Sequence, residues 1–300
     1  MNFILDIAQA TFRTATPIVY ATTGDTIVQR AGILNLGIEG MMFAGAFFGF
    51  AAGFHTGSLW VGLAAAAGVG VAAGALLGFL VVTLGTSQHV AGIGLTLLLI
   101  AVSEFTNRLV FGRPATLPKI DKFDVLSPFD WRVLEQYGMT YAAFLLVLPL
   151  GWFLLARTSF GLRVRAVGEN PEAADVAGIN VFLTRYLALM LGGALIAVGG
   201  AFMTLALLGS FTLDIIAGRG WVALAMVIFG RWRVGRAALG ALIFAAVFSL
   251  QLRLRILPGW DAVPFELLLA LPYVVVIVAL AVAGRNVAYP GAYLKPYRRA

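Results

Sequence analysis

Two groups of residues in this 300-residue chain have the types and spacing to do chemistry on a solute or a partner. The first is the stretch QRAGILNLGIEGMM at 29–42. Arg30, Asn35 and Glu39 stand there at the mouth of an apolar run, and no Asp, Glu, Lys or Arg follows Glu39 until Glu104. Ionisable groups inside a membrane are costly, and they usually line a cavity or pair. Glu39 therefore reads either as a pathway residue or as a helix-start acid paired with Arg30. Asn35 reads as a contact to a polar ligand or as the N-cap of the next helix. The second group is RTSFGLRVRAVGENPEAADVAGIN at 157–180.

That second segment has the marks of a short capped helix. Asn170 suits the N-cap, Pro171 the first helical position, and Glu172 the first turn, where an acid favours the positive helix end. Gly178 suits the C-terminal glycine. A helix of about seven residues is unstable alone in water, so it is expected to dock on something. Elsewhere, Gln88 and His89 sit in the polar break TLGTSQHVAG at 83–92. An amide and a neutral imidazole donate and accept hydrogen bonds, which suits a nucleobase edge. The competing reading is satisfaction of backbone groups freed by a broken helix. Trp221 reads as a stacking platform or an interfacial anchor, and Arg219 as an anion contact or a side chain snorkelling to the interface.

Some chemistry is excluded at this level. His89 has no second His or carboxylate at ligand spacing, so no metal site is expected. Ser159 and Ser210 lack a nearby His–acid pattern, so no catalytic constellation is expected. There is no cysteine, which excludes disulfides and thiolate metal sites. No G-x-x-x-x-G-K-[ST] occurs, so ATP hydrolysis would have to sit on another chain.

The elements holding these residues follow from composition. The chain is 61% hydrophobic and 12% charged, with a mean hydropathy of +0.94. A soluble domain carries about 25% charged residues. The uncharged runs 40–103, 136–156, 186–213, 237–252 and 267–284 are apolar on every face. A bilayer core of about 30 Å needs roughly 20 apolar residues per helix, whereas barrel strands are short and alternating. The expected fold is an all-α polytopic membrane protein of about eight or nine transmembrane helices. Interruptions are expected near 29–40, 83–92 and 209–221. Residues 1–28 read as a weak span or a partly interfacial helix. MNFILDIAQATFR has no basic start followed by a small-residue cleavage site, so no cleavable signal peptide is expected.

The whole of 1–300 reads as one transmembrane domain. Arg157, Arg163 and Arg165, and in the tail Arg285, Lys295, Arg298 and Arg299, put 157–180 and 284–300 on the cytoplasmic side. Residues 108–138, of mixed charge, then lie outside. The net charge of +7 follows from basic cytoplasmic loops, not from nucleic acid. NLGIEGMMFAGAFFGF (35–50) and AGRGWVALAMVIFG (217–230) both set a glycine-flanked charged residue before an apolar helix, a loose internal similarity of the kind seen in transporters.

GLRVRAVGENPEAADVAGI at 161–179 resembles the coupling loop of ABC-superfamily importer permeases for branched-chain amino acids, simple sugars and nucleosides. RAGILNLGIEGMM (30–42) and GRGWVALAMVIFGRW (218–232) look like the nucleoside branch, and the resemblance runs from about 15 to 283. It implies a permease subunit in a bacterial inner membrane, surrounded by membrane lipid. It implies a second related permease, in a heterodimer, two ABC ATPase subunits or domains, and an extracytoplasmic solute-binding protein. ATP and Mg would be bound by the ATPase, with no cofactor on this chain. Arg163, Arg165, Gly168, Glu169, Asn170, Pro171, Glu172, Ala173 and Gly178 would face the ATPase. Asn35, Glu39, Gln88, His89 and Trp221 would lie along the pathway. The other readings are a simple sugar, riboflavin or a branched-chain amino acid as cargo, and, in a different class, a stand-alone secondary transporter. An ion-coupled carrier would be expected to show paired ionisable residues mid-span, which this sequence almost lacks.

Overall fold

The computed structural model describes residues 3–112, 116–128, 131–254, 264–283 and 288–297. Arg285, Arg298 and Arg299 of the basic tail lie outside them. The helices are α1 (Phe3–Arg30), α2 (Ile38–Thr56), α3 (Leu59–Gly78), α4 (Gln88–Phe111), α5 (Gly138–Ala142), α6 (Leu148–Arg157), α7 (Ser159–Glu169), α8 (Pro171–Val176), α9 (Val181–Phe202), α10 (Arg219–Phe229), α11 (Val234–Leu254) and α12 (Phe265–Ala283). Wide π-helical turns extend α3 over Phe79–Thr83 and α9 over Met203–Leu208, and a third, Ala143–Val147, joins α5 to α6. The strands β1 (Val125–Leu126) and β2 (Gln136–Tyr137) form a small antiparallel pair in the outer loop, with Val125 opposite Tyr137.

Local chemistry sets several of these boundaries. α2 ends at Gly57 of the HTGS turn, whose φ of 68° is left-handed and whose N–H donates to Gly53 O; glycine takes that conformation without a Cβ clash. α7 starts at Thr158, whose Oγ1 accepts from Gly161 N, and α9 at Asn180, whose Oδ1 accepts from Leu183 N.

α1 is polar enough to fall outside the helices that could cross a membrane on composition alone, but it does not lie at an interface. It is a 28-residue helix at the centre of the protein, and every residue from Ala15 to Gln29 is buried. It packs along α9, α10 and α11, while α2 packs between α3, α9 and α4. Small residues let these backbones touch. A Cβ on Gly200 of α9 would lie 1.8 Å from Met42 O, and one on Gly45 of α2 would lie 2.1 Å from Ala197 O. Such contact between backbones is the packing expected where lipid provides no hydrophobic drive between helices.

Side-chain contacts fix the direction of α1. Near its start, Asp6 pairs with Arg132 (3.4 Å) and Arg253 (3.2 Å), and Arg13 donates to Glu135 O (2.6 Å). At its end, Arg30 donates to Trp232 O (2.9 Å) beside α7. The start of α1 thus lies with the 131–137 segment, and its end lies with α7 and the turn at Trp232. Among the described residues, five helical stretches are long and apolar enough to cross a membrane: Leu59–Thr83, Gln88–Phe111, Gly138–Arg157, Val181–Leu208 and Val234–Leu254.

The 209–229 passage is half helix. Ile120 N donates to Gly209 O (2.9 Å) at its start. Phe211 then packs edge-on against Phe43 and Phe47 of α2 (5.3 and 5.2 Å). Non-helical chain reaches Gly218 beside Glu39, and α10 completes the crossing. Backbone without helical hydrogen bonds persists at this depth only when buried in protein or facing water.

Candidate pathway and coupling sites

The break after α1 is built from its own polar residues. Asn35 Oδ1 accepts from Gly37 N (3.1 Å), while its amide nitrogen points to Met41 Sδ (3.9 Å). Asn35 therefore closes a tight turn before α2, and Gly37 occupies the N-cap position without a side-chain cap. Gln88 Oε1 accepts from Leu34 N (2.7 Å), and Thr96 Oγ1 donates to Leu36 O (2.9 Å). Gln88, Asn35 and Thr96 are all buried and serve the backbone groups that the break frees. His89 is one residue on but exposed, so the structure does not bring it together with Gln88 in one site.

Glu39 does not pair with Arg30. Its carboxylate accepts from Gly218 N (2.8 Å) and Gly220 N (2.7 Å), the first amides of α10. α2 and α10 run in opposite directions from this meeting point. The two glycine-flanked segments that looked alike in sequence thus touch through the acid of one and the amides of the other. A helix N-terminus carries about half a positive charge and four unpaired N–H groups, so a carboxylate is its natural occupant. Gly220 is required here: a Cβ would sit 2.6 Å from Glu39 Oε2 and 2.7 Å from its Cα. Trp221 follows, 41% exposed. Arg219 does not snorkel to the interface. It is half-buried, donates to the carbonyls of Ile215 (3.1 Å) and Ile216 (2.9 Å), and lies over the Phe248 ring. It thereby satisfies the non-helical chain preceding α10.

One buried polar chain escaped the sequence reading. Gln29 donates to Asp25, both in α1 and both fully buried. Gln29 Oε1 accepts from Trp232 Nε1 (2.8 Å) and from the Tyr293 hydroxyl (3.0 Å). Asp25 was not among the candidate residues. Its spacing of four from Gln29 was the available signal, because residues four apart share a helix face. Burial pushes the Tyr293 phenol above its ordinary range, so Tyr293 remains a neutral donor. Arg185, also unforeseen, is 2% exposed on α9.

The 157–180 segment holds two helices instead of one. α7 covers Ser159–Glu169 and carries Arg163 exposed and Arg165 half-buried. Asn170 then caps α8: its Oδ1 accepts from Ala173 N (3.0 Å), with Pro171 at the first position. α8 spans six residues, and Gly178 beyond it takes a φ of 82°. Glu172, Ala173 and Val176 are exposed, Val176 at 92%. Gly168 is buried, and its Cβ would meet Arg30 O at 2.0 Å, so it seats α7 on α1. Glu169 turns toward the tail, accepting from Gly291 N (3.2 Å).

The tail at 288–297 ties these parts together. Ala292 N donates to Gly168 O (2.9 Å), Tyr293 reaches Gln29, and the Tyr297 hydroxyl donates to Asp175 of α8 (3.0 Å). Tyr289 and Tyr293 pack against the Trp232 ring at 5.0 and 5.8 Å. One strap therefore contacts α7, α8 and the buried polar chain of α1.

A similar fold and related sequences occur in other proteins. A solved ABC transporter in an inward-facing conformation superposes over 92% of this chain and 86% of its own, with a TM-score of 0.50 at 19% identity. A Haloferax volcanii protein provisionally named a glucose ABC transporter permease is 37% identical over 259 residues, 84% of this chain and 79% of that protein. The guanosine ABC transporter permease protein NupQ of Bacillus subtilis is 33% identical over 91% of this chain and 90% of its own length. A second guanosine permease protein of that bacterium, NupP, is 25% identical over 91% of this chain and 80% of its own length. The family model described as branched-chain amino acid transport system / permease component matches residues 7–282. The chain therefore belongs to that family, as a multi-pass membrane permease of an ABC transporter, a transport component and not an enzyme.

Proposed function

We propose that this permease moves a neutral, hydroxyl-rich solute, a nucleoside, across a bacterial inner membrane. It does so as half of a heterodimer with a second, related permease. Two ATPase subunits or domains dock on α8 and hold the ATP and Mg, and an extracytoplasmic solute-binding protein delivers the cargo. The observation that carries the cargo class is Glu39 on the N-terminus of α10. An open half-helix N-terminus near mid-membrane is the usual receptor for an anionic substrate group. Here the protein's own carboxylate fills it. That arrangement favours an uncharged cargo over an amino acid, whose carboxylate would compete for the same amides. NupQ supports a nucleoside, the Haloferax relative supports a sugar, and both cargoes are uncharged. The pairing of NupQ with a second, more distant guanosine permease in one bacterium supports the heterodimer.

The pathway face would include the exposed Leu213, Asp214 and Ala217 of the non-helical chain, with Trp221. Gln88 and Asn35 would hold the break, not the cargo. The exposed face of α8 around Glu172, Ala173 and Val176 would receive the ATPase.

The test is reconstitution of this chain with its second permease, ATPase and binding protein in liposomes. ATP-dependent uptake of labelled guanosine, unaffected by excess glucose or leucine, is expected. Glucose uptake without guanosine uptake would reassign the cargo to sugars, and leucine uptake would overturn the neutral-solute reading. Uptake that continues without ATP would overturn the ATP-driven reading.

A further inference from the structure

On the cytoplasmic side a cavity of about 340 Å³ opens between the ends of α1 and α6, α7 and the turn at 231–234. Three of its walls end in guanidinium groups: Arg30, Arg165 and Arg233. Its other face is apolar, formed by Trp152, Leu155 and Val234. Arg165 and Arg233 both act on Arg30 as like charges. Against this, the only carboxylate close to Arg30 among the described residues is Glu169, at 4.0 Å and itself mostly exposed. No carboxylate of the described residues lies within ion-pair distance of Arg165 or Arg233.

We infer that this cavity binds the phosphate of an anionic phospholipid from the cytoplasmic leaflet. Three cations gathered around a single, mostly exposed carboxylate repel one another, and an anion between them removes that repulsion. The depth is that of the headgroups. Trp152 is 51% exposed on α6, and the Arg157 guanidinium lies over its ring at 5.9 Å; aromatic and basic residues sit together at the membrane interface. On the side of Trp152 away from Arg157, the exposed Leu145, Leu146 and Leu150 continue an apolar surface along the helix. A molecule in this cavity therefore meets arginines at its polar end and a hydrocarbon-facing helix at its other end. Basic pockets between transmembrane helices on the cytoplasmic side have this form. The backbone agrees: Arg231 and Trp232 both take left-handed conformations, with φ of 50° and 54°. Bulky residues rarely do so. The turn buries Trp232 while leaving Arg233 exposed at the cavity.

The experiment uses the assembled transporter in nanodiscs of phosphatidylcholine with or without phosphatidylglycerol, read by native mass spectrometry and thermal melting. The wild type is expected to retain phosphatidylglycerol through detergent exchange and to melt higher with it than in phosphatidylcholine alone. The R165Q/R233Q variant keeps Arg30 on Trp232. It should lose that retention by about twenty-five-fold, taking roughly fivefold for each of the two guanidinium groups near an anionic surface. Inorganic phosphate added to phosphatidylcholine discs should produce no upward shift in melting. A wild type that holds both lipids equally overturns the proposal, whether or not the variant folds. So does a variant that folds and retains phosphatidylglycerol like the wild type. A melting shift with inorganic phosphate alone would assign the cavity to a free anion and overturn the lipid source.

Discussion

Glu39 Oε2 accepts a hydrogen bond from Gly220 N at 2.7 Å, across 181 residues of sequence. The acid at the start of one half-helix neutralises the positive end of another, so the two glycine-flanked segments form one unit. Hydrogen bonds to a charged group contribute more than neutral ones, and leaving such donors unpaired costs more still.

Glu39→Gln keeps one acceptor but turns an N–H₂ toward the α10 amides. It is expected to destabilise the permease by about 2 kcal/mol, the scale for losing a charged hydrogen bond. Gly220→Ala should be at least as harmful, because its Cβ meets Glu39 Oε2 at 2.6 Å. Thermal melting in detergent checks both, and an unchanged melting temperature for either would remove the Glu39–α10 contact from the stabilising set.

Asn170→Ala removes the cap on Ala173 N. A lost N-cap costs about 1 kcal/mol, which a six-residue helix cannot absorb. Asn170→Ser should retain most of the function. ATPase stimulation by the permease, measured in the assembled transporter, should fall in the first variant and persist in the second.

Val176→Asp and Glu172→Lys change the exposed face of α8 without touching its core contact, Ala174. Both should leave the melting temperature of the isolated permease unchanged. The first should reduce copurification of the ATPase. The second should separate ATP hydrolysis from uptake. Normal uptake by both would remove α8 from the docking surface.

Tyr293→Phe deletes the donor to Gln29 while keeping the ring against Trp232. A single buried hydrogen bond contributes about 1 kcal/mol. A modest drop in stability is expected, together with faster amide hydrogen exchange in the tail and in α7. Exchange confined to the tail would show that the strap does not hold α7.

The membrane class, the run of passages and the capped α8 were legible in the sequence because each depends on local rules. Apolar runs of spanning length have few other uses, and Asn170–Pro171–Glu172 encodes its own cap. The breaks near 29–40, 83–92 and 209–221 were marked by glycine and polar residues for the same reason. What fills the breaks was not legible. Glu39 had two sequence-level partners, Arg30 or a solute, and the fold supplied a third in amides 179 and 181 residues away. Arg219 read as an anion contact or as a side chain snorkelling to the interface, yet the carbonyls at 215 and 216 become its acceptors once the chain before α10 is not helical. Asp25 and Gln29 lay unnoticed because burial depends on which helices surround α1, and no local pattern states that. Composition and spacing determine which elements exist and where they stop. Only tertiary packing decides which polar groups meet in the absence of water, because that choice rests on contacts between helices far apart in the chain.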